Sequence, residues 1–276
     1  MTAPSMHALS RLLDDSFALW WRGLRWTAPI ALLAALPSLR SFIQLPGLAE
    51  LQADPQAVSL AVIEPLLSPE AWRWWAGSAL LALWLGAWQM LLFDRLLLAE
   101  PLRPLEALLR ASLRLPQLLL AMGLYLLLCA LPLLPLLVFS ARLGLQALPL
   151  PLAMGLSVLA SLLLALPIAW VAVRLMFLPY AAALDGAWPR PALAESRQRS
   201  RGQWWRLMVF VSVPLTLQAF AAGTVAALPA MLAALPAGLF GPGLREALGH
   251  AATLAVAALT GPLLHACLVS AYRERV

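Results

Sequence analysis

The chain has no lysine, two cysteines, three histidines and little charge of either sign: Asp, Glu and Arg make up 12% of its 276 residues. A soluble domain ordinarily carries about 25%. That shortage, with a hydrophobic fraction of 62% and a mean hydropathy of +0.83, excludes an ordinary water-soluble protein. Cys129 and Cys267 both fall in apolar runs, which predicts free buried thiols and excludes a disulfide scaffold. His7 lies near the N-terminus, while His250 and His265 share the last apolar run. On one helix those two stand about 22 Å apart, too far to share a metal. His265 and Cys267, two residues apart, face different ways. The H-E-x-x-H, G-x-S-x-G and P-loop patterns are all missing. The chain is therefore read as non-enzymatic, with no catalytic residue, metal or cofactor. No nucleic-acid partner is expected, and no secretory signal, because Met1 to Trp26 shows no small-residue cleavage site after a short apolar core.

What the chain has in quantity is apolar runs of about 20 residues, the length that crosses roughly 30 Å of hydrocarbon. Spans are expected near 24–45, 74–93, 116–139, 150–173, 205–228 and 250–271. Arg40 interrupts the first, but a long side chain near a helix end reaches the headgroups. The fifth run continues past Pro229 and Pro236, as a kinked extension or a re-entrant piece. Nothing between the spans is long and polar enough for a soluble domain, so residues 1–276 read as one integral membrane domain.

Orientation follows from arginine, which supplies all 19 basic residues. Arg11, Arg22, Arg25, Arg95, Arg103, Arg110, Arg114, Arg174, Arg190, Arg197, Arg199, Arg201, Arg206, Arg273 and Arg275 fall on one side; only Arg40, Arg73, Arg142 and Arg245 fall on the other. The longest loop of the poorer side is acidic, with Glu50, Asp54, Glu64 and Glu70. The positive-inside rule puts the rich side, with both termini, in the cytoplasm. Trp20, Trp21 and Trp26, then Trp72, Trp74 and Trp75, then Trp204 and Trp205 mark successive interfaces. Exclusive use of arginine, with abundant Ala, Leu, Pro and Trp, fits a G+C-rich bacterial genome and hence a bacterial inner membrane.

The odd-numbered spans begin near 27, 116 and 205, a step of roughly 90 residues. Three parallel repeats are expected, approximately 1–93, 94–173 and 174–276, each an amphipathic surface helix followed by a two-helix hairpin. Arg103-Pro104, Ala107, Arg110 and Arg114 reappear as Arg190-Pro191, Ala194, Arg197 and Arg201. The first unit shares only the pattern, with Met6, Leu9, Leu13 and Phe17 on one face. In the third, Leu193, Ser196, Ser200, Trp204 and Leu207 form a helical stripe, Glu195 pairs with Arg199 as Glu106 does with Arg110, and Gly202 ends or bends the helix.

The segment "ALAESRQRSRGQWWRLMVF", Ala192 to Phe210, resembles the Ala-Leu-x-x-Ser-x-x-Leu-x-x-Gly-x-x-Trp signature of a bacterial membrane family. That family covers the YciC-like proteins and the membrane domain attached to some glycerophosphoryl diester phosphodiesterases. Ser196, Gly202, Trp205 and Arg206 match it, while Arg199 stands where an apolar residue is commoner. "RLMFLPYAAALDG", Arg174 to Gly186, is similar to the segment before that signature, and "LRLPQLLL", Leu113 to Leu120, to its counterpart one repeat earlier. The resemblance implies six membrane-spanning helices. It carries no phosphodiesterase activity here, because the catalytic barrel of the fused members is a separate soluble domain.

Two sets of residues are candidates for function. Arg110, Arg114, Arg197, Arg199, Arg201 and Arg206 would contact anionic lipid headgroups or a membrane-protein partner. Asp94, Arg174, Gln218 and His265 would form an intramembrane polar site, with Asp94 pairing to Arg95 or Arg174; each also has a purely structural reading. The reading is an all-α membrane protein with an accessory or structural role in envelope, lipid or protein handling. The alternative is a transporter or lipid-translocating protein, its proline-kinked helices enclosing a central or lateral cavity. A reporter fused near Gln52 is expected on the side opposite both termini; a cytoplasmic signal there overturns the orientation.

Overall fold

The computed structural model describes residues 6–39, 68–133, 150–233 and 242–274, and these are helical with no strand. The helices are α1 (Met6–Ala35, with a 3-10 turn over Leu36–Leu39), α2 (Pro69–Leu97), α3 (Pro104–Ala130, with a 3-10 turn over Leu131–Leu133), α4 (Leu150–Leu175), α5 (Leu178–Asp185), α6 (Pro189–Ser200), α7 (Trp204–Ala233) and α8 (Pro242–Arg273). Their ends obey local chemistry. The Ser68 hydroxyl accepts the Ala71 N–H at 3.1 Å and Pro69 opens α2. Gly186, at φ +67°, closes α5, and Gly202, at φ +76°, follows the end of α6, both in the left-handed region that glycine enters without strain.

Five stretches are long and apolar enough to cross a membrane: Pro69–Leu97, Pro104–Ala130, Leu163–Asp185, Trp204–Val225 and Ala247–Arg273. Their outer faces show large apolar side chains such as Trp205, Phe220 and Leu113, the surface of a multi-pass membrane protein rather than a soluble one. Residues 40–45 of the expected first span, with Arg40, lie outside the described residues, as do Glu50, Asp54 and Glu64 of the acidic loop, Arg142 and Pro236.

Two expected details differ. The surface helix and span predicted to be separate around residue 116 are one continuous helix, α3, with Pro116 inside it. A proline removes one hydrogen bond and bends a helix, but the helix continues where its neighbours hold it. The expected surface helix of the first unit is likewise continuous with its span in α1, and among the described residues only α6 stands as a distinct helix before its span. Moreover, the apolar stretch expected at 150–173 continues to Asp185, through a turn at Met176-Phe177 into the short helix α5. Its sequence, LPYAAALD, is too short for a period to reveal it.

Helix α8 is the hub. It packs along α1 and α7 and also against α2, while α2 packs on α3 and α5 sits between α3 and α6. Carbonyls near Pro262 in α8 receive side-chain donors: Trp20 Nε1 reaches Leu259 O at 3.0 Å and Gln218 Nε2 reaches Thr260 O at 2.8 Å. Neighbouring side chains thus supply bonds where a proline disturbs a buried ladder. Between α2 and α3, Trp84 Nε1 donates to Ser112 Oγ and Trp88 Nε1 to Pro104 O, each at 3.0 Å. Helix α1 approaches α2 closely at Gly23, where an added Cβ would stand 2.5 Å from the buried Phe93 ring. Gly23→Leu is therefore expected to cost about 1–3 kcal/mol by overpacking, read as a lower unfolding temperature in detergent; an unchanged temperature refutes this α1–α2 contact.

Candidate functional site

Charged side chains converge where α2, α5, α6 and α8 meet. The centre is Arg273, near the end of α8. Its Nε lies 2.6 Å from Asp94 Oδ1 and its Nη2 2.9 Å from Asp94 Oδ2, a two-pronged clasp on α2. Its Nη1 lies 3.3 Å from Asp185 Oδ1 at the end of α5. The Tyr272 hydroxyl donates to the other oxygen of Asp185. Arg199, on α6, donates to Glu195 Oε1 at 2.7 Å and to the Tyr272 carbonyl, with its guanidinium 4.0 Å from the centre of the Tyr272 ring. Arg114 caps α5 by donating to the carbonyls of Ala183, at 2.7 Å, and Leu184. Arg95 and Arg110 share Glu106, each at 2.7 Å.

The six candidate arginines therefore divide. Arg114 and Arg199 are engaged within the fold, and Arg110 is held by Glu106. Arg197 and Arg201 are exposed, and neither pairs with a carboxylate among the described residues. Arg206 is half-buried, with Nη1 shielded from water and lacking a protein partner. Of the family-motif positions, Ser196 is buried and bonds the Arg174 carbonyl, Gly202 breaks the chain after α6, and Trp205 is exposed and packs edge-on against Trp204 at 4.4 Å.

Asp94, Arg174, Gln218 and His265 do not come together. Asp94 pairs with Arg273 rather than with Arg95 or Arg174. Adjacent residues on a helix point about 100° apart, and Arg95 turns to Glu106. Arg174 stacks on Trp170 at 4.8 Å. Gln218 braces the bend at Pro262. His265 meets Tyr180, Nδ1 to Oη, at 3.0 Å.

That last pair walls an apolar cavity of about 430 Å³ between α2, α3, α4, α5, α7 and α8. Four methionines line it, Met90, Met122, Met176 and Met208, along with Tyr125. Methionine is flexible and polarizable, a lining that adapts to occupants of different shape. Among the described residues no group of three His, Cys, Asp or Glu is placed to hold a metal.

A family described as a domain of unknown function, DUF7847, matches residues 107–275, from within α3 to the end of α8. The chain belongs to that family. No curated protein and no solved structure matches it. The DUF7847 segment holds both the cavity's polar pair and the charged cluster, except for Asp94 and Arg95, which α2 supplies, and Glu106 in the first turn of α3.

The residues that sequence reasoning missed are Asp185, Tyr272, Arg273 and Tyr180. Rarity was the available signal, since the chain has only three tyrosines: Tyr272 joins the charged cluster and Tyr125 and Tyr180 line the cavity. Removing one member of a largely buried ion pair leaves its partner uncompensated. Asp94→Ala is expected to destabilise the protein by about 3 kcal/mol, and Arg103→Ala, at an exposed position, to leave stability unchanged. Equal unfolding temperatures for the two variants refute the clasp.

Proposed function

We propose that this protein is a non-enzymatic accessory protein of a bacterial cytoplasmic membrane, acting through its arginine-rich end on anionic lipid and on a membrane-protein partner. One observation carries the reading. The carboxylates of the charged cluster, Asp94, Glu106, Asp185 and Glu195, are held by arginines or Tyr272, while Arg190, Arg197 and Arg201 on and after α6 are exposed without such a partner among the described residues. Each such charge near an anionic surface contributes roughly 1 kcal/mol of attraction. On this reading residues 24–45 add a sixth crossing, the three units run parallel, and both termini lie in the cytoplasm. The likeness to the YciC-type membrane family supports the same picture.

A second reading, lipid translocation or transport, draws on the cavity with its Tyr180–His265 pair. The two separate in native mass spectrometry of the protein extracted with its surrounding lipid. The accessory reading expects a co-purifying membrane protein and an excess of anionic lipid that Arg190→Glu with Arg201→Glu removes. Anionic lipid at its bulk proportion, with no partner, overturns it. A single retained lipid or small molecule, lost when Ala172→Trp fills the cavity, favours transport.

A further inference from the structure

A second groove, of about 330 Å³, runs between the end of α3 and the end of α4. Leu128, Leu131, Pro132, Val171 and Leu175 make its apolar wall, and Arg174 and Arg197 face it with no acid in the lining among the described residues. The two arginines come from different helices, and the fold fixes them there. Ser196 Oγ and Ser200 Oγ, both buried, donate to the Arg174 carbonyl at 3.1 Å each, so α6 is stapled to the last turn of α4. Arg197 follows Ser196 directly and is carried to the groove by that staple. The Arg174 guanidinium lies over Trp170 at 4.8 Å, which restrains its long side chain. Neither guanidinium pairs with a carboxylate among the described residues. Elsewhere at this end the arginines of the cluster have found acids or carbonyls.

We propose that this groove binds one anionic phospholipid, its phosphate between Arg174 and Arg197 and an acyl chain along the leucine–proline wall. The proposal rests on the reading above that this end lies against an anionic leaflet. Two like charges facing one apolar groove repel each other, and a phosphate removes that repulsion while accepting charge-assisted hydrogen bonds from both. A soluble anion would gain nothing from the wall, and a zwitterionic lipid would bring a cation to the arginines. Basic pockets between membrane helices hold acidic headgroups by the same balance.

The test is native mass spectrometry of the full-length protein, delipidated in detergent and titrated with phosphatidylglycerol, with phosphatidylcholine of identical chains, and with inorganic phosphate. One phosphatidylglycerol per protein is expected to survive activation that strips phosphatidylcholine. Arg174→Gln with Arg197→Gln should lower that occupancy at least about ten-fold, in line with two lost phosphate contacts. Val171→Trp keeps both arginines but blocks the wall, and should do the same. Arg190→Gln with Arg201→Gln should leave the single bound lipid in place while reducing general anionic enrichment, so failure of the site and failure of the accessory reading give different results. If either groove variant, folded by its unfolding temperature, retains phosphatidylglycerol as the unaltered protein does, the proposal is overturned. It is also overturned if phosphatidylcholine binds equally, or if inorganic phosphate displaces the lipid at equal concentration.

Discussion

The pairing of Arg273 with Asp94 and Asp185 is the contact on which the arrangement of this bundle depends. A lone charge in or near hydrocarbon costs several kcal/mol, so each must find an opposite charge or a set of carbonyls. Arg273 joins three helices through that requirement: α2 by Asp94, α5 by Asp185, and its own α8. Hydrophobic burial cannot fix helix register in lipid, because the surroundings are as apolar as the side chains. A two-pronged guanidinium–carboxylate contact can, since one turn of slip breaks it. Around the clasp, Gly186 turns the chain out of α5, Arg114 caps the carbonyls left at that end, and Arg199 ties α6 to the Tyr272 carbonyl.

Away from this end the bundle is held by small surfaces and by single polar contacts on otherwise apolar helices. Gln218 and Trp20 reach carbonyls near Pro262, and Trp84 reaches Ser112. Packing is looser where α4 faces the others, and the cavity opens there with methionine walls. A cavity in a well-packed interior forfeits contacts along its whole lining. Its presence between helices so firmly registered at one end is a property of the fold, and the Tyr180–His265 pair gives its wall a hydrogen-bonded polar spot.

What the sequence disclosed was local. Glu195 with Arg199 and Glu106 with Arg110 are neighbours one helical turn apart, and both pairs are present in the structure. Ser196 and Ser200 share one buried face of α6, as their spacing required, but the expected stripe does not run on: Leu193 and Trp204 are half-buried, and Leu207 belongs to α7, beyond Gly202. The partner of Asp94 was not legible, because it lies 179 residues away and two nearer arginines compete on paper. Pro116 looked like the end of a surface helix, yet only the arrangement of neighbours decides whether a proline bends or breaks. Helix α5 carries no amphipathic period, since it is buried along nearly its whole length, and the cavity is a property of six helices that no single stretch announces.

The positive-inside rule accounts for how many arginines lie at one end but not for how they are used. Topology alone would be satisfied by arginines that all point to water. Here several are drawn inward to carboxylates and carbonyls, so the carboxylates of the cluster are taken up within the fold. The consequence is that α6 and the loop after it stay uncompensated, with Arg190, Arg197 and Arg201 outward and Arg174 beside a groove. The same internal pairing that fixes the helices therefore leaves a face with net positive charge on a rigid, serine-stapled support. A rigid basic face loses little side-chain and backbone freedom when it meets an anionic surface, which makes α6 the part of the molecule best prepared for contact.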